Sequence, residues 1–323
     1  MVGVRENDGS VMINKSNEVK VYDFLRKKVP DKFPCDVMYH YTSFRTFPVF
    51  FEKNADLFCT HFAALNDGHE VREGWGAAIR FLESEYEWPK EKCDLLWSYY
   101  TREVLAGKFG TVWVMSFSRS RDSLNQWIAY TDRDEGGYAL GFDVQNLEKM
   151  LNRVRSNAKK VHVTEDRKAY PCRMYILPCL YTDSDRSTID DLFRTCFGQA
   201  EDVFEKVKIS KDPAKADLAA VIAELQVVAA IIKHESFRYE EEVRLVVHQT
   251  AQDFSQCEFI AGKPRWKTQI GAYMNSSLCS LFKEVVISPH GDNQVLQTSA
   301  NVMRAKHSLE CAITESTSPY NGR

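Results

Sequence analysis

The most chemically loaded stretch of the chain is Phe237-Arg238-Tyr239-Glu240-Glu241-Glu242-Val243-Arg244, in which an acidic turn runs straight into an apolar strand. At strand spacing Glu240, Glu242 and Arg244 share one face, and Glu241 and Val243 take the other. Two carboxylates and a guanidinium on one face are costly unless they meet a partner or line a pocket. In a pocket, such a pair can hold a ribose hydroxyl and stabilise an oxocarbenium-like centre, with Arg244 fixing one carboxylate bidentately. A solvated edge strand carrying an ion pair accounts for the same residues equally well.

Three other segments offer groups that could join this pair. Tyr39-His40-Tyr41-Thr42 ends a strand at a turn; His40 there can donate a hydrogen bond to a ribose or diphosphate, and a tyrosine can stack on a flat ring. Taken alone it is also a strand edge with one satisfied histidine. Ser116-Phe117-Ser118 closes the run TVWVM and puts two hydroxyls on one face, which suits positioning a sugar or a neighbouring catalytic group. Lys233-His234 stand at the end of an expected helix, where the dipole alone explains a cation.

His61, Asp67, His69 and Glu70 could be read as metal ligands, although their spacing matches no common ligand pattern. Asn66 or Asp67 also suits a helix N-cap, with Glu70 closing a capping box. No G-x-G-x-x-G, Walker loop or G-x-S-x-G elbow occurs, which removes support from dinucleotide folds, P-loop NTPases and α/β-hydrolases. The charge balance, Lys+Arg 42 against Asp+Glu 45, argues against nucleic-acid binding by overall charge, though not against one basic groove. Arg153, Arg155, Lys159 and Lys160 are one such cluster, more often simply a solvated face. Nine scattered cysteines with no C-x-x-C pair fit reduced thiols, and a structural zinc site is not expected. No signal-type apolar core opens the chain, and no apolar run approaches the ~20 residues of a membrane span, so a soluble cytoplasmic protein is expected.

The elements that must position these groups read as α+β. The spacing predicts helices over 18–29, 70–106 with a break at Pro89, 123–130, 144–155, 188–208, 214–232 and 294–305. A further helical stretch is expected over 44–53. Strands are expected at 37–41, 57–60, 111–117, 138–142, 173–181 broken by Pro178, 243–248, 258–260 and 285–288. The division this suggests is an N-terminal arm and helix over 1–34, one catalytic domain over 35–311 with a helical insert at about 188–232, and a flexible tail over 312–323.

In order along the chain, His40-Tyr41-Thr42, Leu65-Asn66-Asp67 with Glu70, Ser116-Phe117-Ser118, Trp127 with Tyr130, the Gly137–Phe142 strand, and Glu240, Glu242 and Arg244 resemble a bacterial family known mainly as a domain of unknown function. The resemblance runs from about Met38 to Ser288. The same order is similar to the ADP-ribosyltransferase superfamily, which splits NAD at the nicotinamide–ribose bond. That resemblance implies mainly antiparallel mixed sheets with a split β core and helical insertions. It implies NAD as co-substrate, Glu242 as catalytic group with Glu240 orienting the acceptor, and His40, Tyr41, Thr42, Ser116, Ser118, Tyr130 and Arg244 around the cofactor. The acceptor would be a macromolecule, RNA, DNA or protein, in a toxin or phage-defence setting that brings an antitoxin or immunity partner with it. A metal-dependent hydrolase or nuclease built on the His61–Glu70 groups, or a non-catalytic binding module, are the alternatives.

Overall fold

The structure, a computed structural model, describes residues 20–29, 35–52, 55–65, 70–104, 110–158, 172–198, 216–249, 257–268, 270 and 278–319. In chain order its elements are α1 (Lys20–Lys28), β1 (Val37–Ser43), β2 (Phe58–His61), α2 (Glu70–Glu85), α3 (Lys90–Tyr99), β3 (Thr111–Ser118), α4 (Leu124–Tyr130), β4 (Gly137–Asp143), α5 (Val144–Ala158) and β5 (Cys172–Pro178). They continue with β6 (Leu180–Tyr181), α6 (Arg186–Phe197), α7 (Ala216–Ala229), β7 (Ile232–Lys233), β8 (Glu242–Gln249), β9 (Cys257–Ile260), β10 (Lys263–Lys267), β11 (Phe282–Ile287), α8 (Asn293–His307) and β12 (Ala312–Glu315). The class is α+β, with a mixed, mainly antiparallel sheet of ten strands and a small parallel pair, β6–β7.

The sheet's interior follows from its most apolar strands. Every residue of β8 is buried, because β3 and β5 flank it and both its faces are covered. Val243, Leu245 and Val247 pack with Trp113, Met115, Phe117, Met174 and Ile176, while Val246 faces a second core built from α2, α3, α6 and α7. Gly74 lets α2 lie against α7: a Cβ there would stand 2.5 Å from the Ala229 backbone.

The sheet is irregular around β3. β8 pairs with β3 along its whole length, from Thr111↔Gln249 to Ser118↔Glu242. The opposite edge of β3 is shared. β2 takes Trp113 and Val114, and β1 takes Ser118, opposite Tyr39. β1 then turns fully onto β4, in register from Val37↔Asp143 to Ser43↔Gly137. The strands β1 and β3 therefore diverge after a single pairing and leave an opening beside residues 115–117.

Several expectations are revised. The acidic run feeds a central strand rather than an edge strand. The helix expected to reach residue 232 ends at Ala229, and Ile232 and Lys233 pair in parallel with β6. The helical stretch expected over 44–53 is a short 3-10 turn at Phe47–Phe51. β10, which no periodicity announced, joins β9 to β2. Ala312–Glu315, expected within the flexible tail, forms β12 and pairs in parallel with β11. Among the described residues no helix is long and apolar enough to cross a membrane.

Candidate active site

An open cleft enclosing about 50 Å³ occupies the opening between β1 and β3, lined by Tyr39, His40, Tyr41, Ser116, Phe117, Gln126, Tyr130, Glu240 and Glu242. Six residues singled out in the sequence thus meet: His40 and Tyr41 from β1, Ser116 from β3, Tyr130 from α4, and both carboxylates. Thr42, Ser118 and Arg244 are buried and do not line it. Ser118 acts on the site indirectly. Its hydroxyl donates to the Glu240 carbonyl at 2.7 Å and accepts from the Ser120 amide at 3.0 Å.

The two carboxylates reach the cleft by different routes. Glu242 is the first residue of β8, while Glu240 ends a 3-10 turn at Glu235–Glu240 rather than lying on the same strand face. Glu241 between them adopts a left-handed conformation (φ 44°, ψ 46°), which folds the chain so that both carboxylates turn to one cation. That cation is Lys233. Its Nζ lies 2.5 Å from Glu240 Oε2 and 2.6 Å from Glu242 Oε2, and it sits 4.7 Å from the centre of the Phe237 ring. Sequence gave a dipole role to Lys233; the structure buries it beneath the pair.

Arg244 completes the cluster. Its Nε donates to Glu242 Oε1 at 2.7 Å, its Nη2 to Glu242 Oε2 at 3.0 Å, and its Nη1 to the Ala230 carbonyl at 2.5 Å. Burial by itself would raise the Glu242 pKa, but the Arg244 and Lys233 charges outweigh it and hold the carboxyl at about 2. Backbone contacts fix the strand end as well: the Glu242 amide donates to Tyr181 Oη at 3.0 Å, and its carbonyl accepts from Cys179 N at 2.9 Å.

His40 faces the carboxylates across the cleft. Its Nδ1 lies 3.0 Å from the Ser116 carbonyl oxygen. A carbonyl only accepts, so Nδ1 carries the proton, and in the neutral ring Nε2 keeps a lone pair. Burial lowers the His40 pKa, a push that the Ser116 hydrogen bond opposes. The ring therefore offers an acceptor at Nε2, where a donor was expected from the sequence. Tyr41 is tied down: its hydroxyl donates to the Ser120 carbonyl and accepts from the Ser123 amide, each at 2.9 Å, and its ring meets Trp127 edge-on. Those bonds hold the loop that launches α4, the helix presenting Gln126 and Tyr130.

Of the metal candidates only His61 has a described side chain, and among the described residues no group of three or more His, Cys, Asp or Glu could hold an ion. His61 accepts from the Ala63 amide at 3.2 Å and packs on Phe62 and Trp113, and burial brings its pKa down to about 4. Asn66, Asp67, His69 and the Glu70 side chain lie outside the described residues, as do Lys159, Lys160 and the Arg155 side chain.

Neither the curated proteins nor the solved structures give a match to the chain. Residues 126–245 match the model of the family described as Protein of unknown function (DUF2971), a span that contributes Gln126, Tyr130, Lys233, Glu240, Glu242 and Arg244 but includes none of the β1 residues that close the cleft.

Proposed function

We propose that the chain is an NAD-consuming ADP-ribosyltransferase that binds the nicotinamide–ribose end of NAD in the cleft between β1 and β3. The observation that carries this reading is the convergence of His40, Ser116, Tyr130, Glu240 and Glu242 on one opening where two sheet strands part. The cleft is open to solvent, and in this reading one ring-and-sugar unit enters it with the rest of the dinucleotide outside. Aromatic walls from Tyr39, Tyr41 and Tyr130 offer faces and edges to a flat ring, and His40 Nε2 accepts from a ribose hydroxyl.

In this reading the C1′–N bond breaks heterolytically and its electron pair leaves with nicotinamide, which departs neutral. The positive charge passes to the ribosyl C1′, beside the carboxylate pair. A lone pair on the acceptor then bonds to C1′, and the acceptor's proton passes to a carboxylate and on to water. The acceptor is a macromolecule, nucleic acid or protein, as befits a toxin or phage-defence effector restrained by its own inhibitor.

The test is incubation of purified chain with NAD labelled in the adenosine half, alone and with total RNA, DNA or cell lysate. Tyr130→Ala and the Glu240→Gln/Glu242→Gln double variant run alongside, with folding checked by circular dichroism. Nicotinamide release with label moved to one fraction, lost in both variants, is the expected result. Absence of NAD consumption in every mixture would sink the reading.

A further inference from the structure

Resting on the NAD reading, we propose that Gln126 is the specificity residue of the cleft, and that its side-chain amide reads the carboxamide of the nicotinamide ring. Gln126 lies on α4 and is only 6% exposed, yet among the described residues its amide hydrogen-bonds to nothing. It lines the cleft, and neither its oxygen nor its nitrogen is among the unpartnered polar atoms sealed from solvent. A primary amide held so far out of water without hydrogen bonds costs the fold stability. A ligand in the cleft that offers both a donor and an acceptor removes that cost.

The other walls are rich in acceptors. The carboxylates of Glu240 and Glu242 accept, and so does His40 Nε2, because Nδ1 carries the proton it donates to the Ser116 carbonyl. Tyr39 donates its hydroxyl proton to Glu284 at 2.6 Å, and Tyr41 donates to the Ser120 carbonyl at 2.9 Å. Gln126 brings an N–H donor to these walls, beside the Ser116 hydroxyl, and brings an acceptor with it. A carboxamide presents a carbonyl and an N–H group side by side, and a second carboxamide meets both in a cyclic pair of N–H···O bonds. A hydroxyl such as that of Ser116 meets one of the two. The match holds whichever way the Gln126 amide is turned, since its two ends exchange by rotation.

Its neighbours hold Gln126 in place without using its amide. Trp127 is fully buried, its Nε1 donates to Asp122 at 2.7 Å, and its ring lies 4.6 Å from that of Tyr41. Tyr41 in turn accepts from the amide of Ser123, the residue that opens α4. The side chain is thus placed in advance, and the pyridine is gripped through a group remote from the bond that breaks. No proton moves at Gln126, and nicotinamide departs with its carboxamide intact. Gln126 sets which pyridine enters the cleft.

The experiment sets wild type, Gln126→Leu and Gln126→Glu against NAD and its 3-acetylpyridine analogue, in which a methyl ketone replaces the carboxamide and the N–H donor is gone. Binding by calorimetry, release of the free pyridine and thermal melting are read for each. Wild type is expected to bind the analogue about tenfold or more weakly than NAD. Gln126→Leu is expected to melt at or above wild type, because it removes an unpaired buried amide. It is also expected to lose about tenfold or more in NAD affinity and to bind the two dinucleotides within about threefold of each other. Gln126→Glu, which exchanges the donor for an acceptor, is expected to bind NAD no better than Gln126→Leu. A Gln126→Leu chain that keeps the wild-type preference for NAD, or a wild type that binds the analogue as tightly as NAD, would overturn the Gln126 assignment and leave the NAD reading standing. So would a Gln126→Leu chain melting well below wild type, since the amide would then be held by the fold. A wild type that neither binds NAD nor releases nicotinamide overturns the NAD reading and the carboxamide assignment together.

Discussion

His40 Nδ1 donates a 3.0 Å hydrogen bond to the Ser116 carbonyl at the point where the β1–β3 ladder has already opened. The imidazole thus does two jobs with two nitrogens, satisfying a strand edge with one and facing the cleft with the other. Separating them gives the first prediction. In His40→Asn the amide nitrogen replaces Nδ1 as donor, so the fold loses less than about 1 kcal/mol, whereas His40→Ala leaves the carbonyl unpaired and costs about 1–3 kcal/mol. Both lose the Nε2 acceptor and are expected to bind NAD about tenfold more weakly. Melting curves and calorimetry read the two effects separately; equal melting of the two variants would remove the hydrogen-bond account.

Glu241 supplies the second prediction. A residue with a side chain pays about 1–2 kcal/mol to occupy the left-handed region. Here the Arg119 amide donates to its carbonyl at 3.0 Å and its own amide donates to Arg238 at 3.2 Å, so the turn is held in place. Glu241→Gly removes the strain and is expected to leave stability unchanged or raise it, set against the greater freedom glycine has when unfolded. Glu241→Val, β-branched at positive φ, is expected to lower stability by about 1–2 kcal/mol and to reduce turnover by displacing Glu240 from Lys233. A valine variant with wild-type melting and turnover would show that the turn geometry is not what sets the pair.

The strands around the site were readable because their composition is extreme. TVWVMSF and VRLVV have too many β-branched and aromatic residues for a helix of that length, and each became a strand at the heart of the sheet. The convergence of His40, Ser116 and the carboxylates could be anticipated only from the order of short motifs, since partners such as Tyr39 and Ser118 lie far apart in sequence. Lys233 could not be read, because a lysine at the end of an apolar helix is indistinguishable by sequence from one serving the dipole. Its role depends on the β6–β7 pairing, a two-residue contact below any periodic signal. β10, KPRWK, was hidden for a related reason: a proline and three cations in five residues erase the alternation that marks a strand.

Acid should destabilise the protein in two phases. His40, His61 and His290 all have pKa values lowered from 6.5, chiefly by burial, with His61 at about 4. Below pH 6.5 the unfolded chain binds protons at these rings that the folded one refuses, so stability falls as pH drops from 6.5 toward about 4. Glu242 works in the next window. Its folded pKa of about 2 against an ordinary 4.5 contributes stability that is complete above 4.5 and lost as pH falls toward 2. Denaturant melts from pH 8 to pH 3 should show a plateau, a shallow decline beginning near 6.5, and a steeper one below 4.5. His61→Phe is expected to flatten the first decline; a curve unaltered between pH 7 and pH 5 in the wild type would refute the histidine assignment.

The final prediction concerns how the C-terminal strand supports a wall of the cleft. Asp122 opens the loop into α4 and collects four hydrogen bonds, from Trp127 Nε1 at 2.7 Å, Ser316 Oγ at 2.5 Å, Thr317 N at 2.6 Å and Thr317 Oγ1 at 3.0 Å. Arg121 beside it bonds Glu284 at 3.0 Å and Thr314 at 2.5 Å, and Glu284 accepts from Tyr39 at 2.6 Å. The segment after β12 is therefore tied to the base of the helix that presents Gln126 and Tyr130, and through Glu284 to a tyrosine of the cleft itself. Replacing Asp122 by alanine strands a buried indole N–H and frees residues 316–317, which is expected to cost about 2–4 kcal/mol. Asp122→Asn keeps the shape and some acceptors but loses the charge, and is expected to cost about half as much. Hydrogen exchange locates the effect: in Asp122→Ala, faster exchange should appear both in β12 and in α4, although the two lie almost 200 residues apart in the chain. If exchange rises in β12 alone while α4 and NAD binding hold, the strand is an independent edge and α4 owes its position to Tyr41 and Trp127 instead.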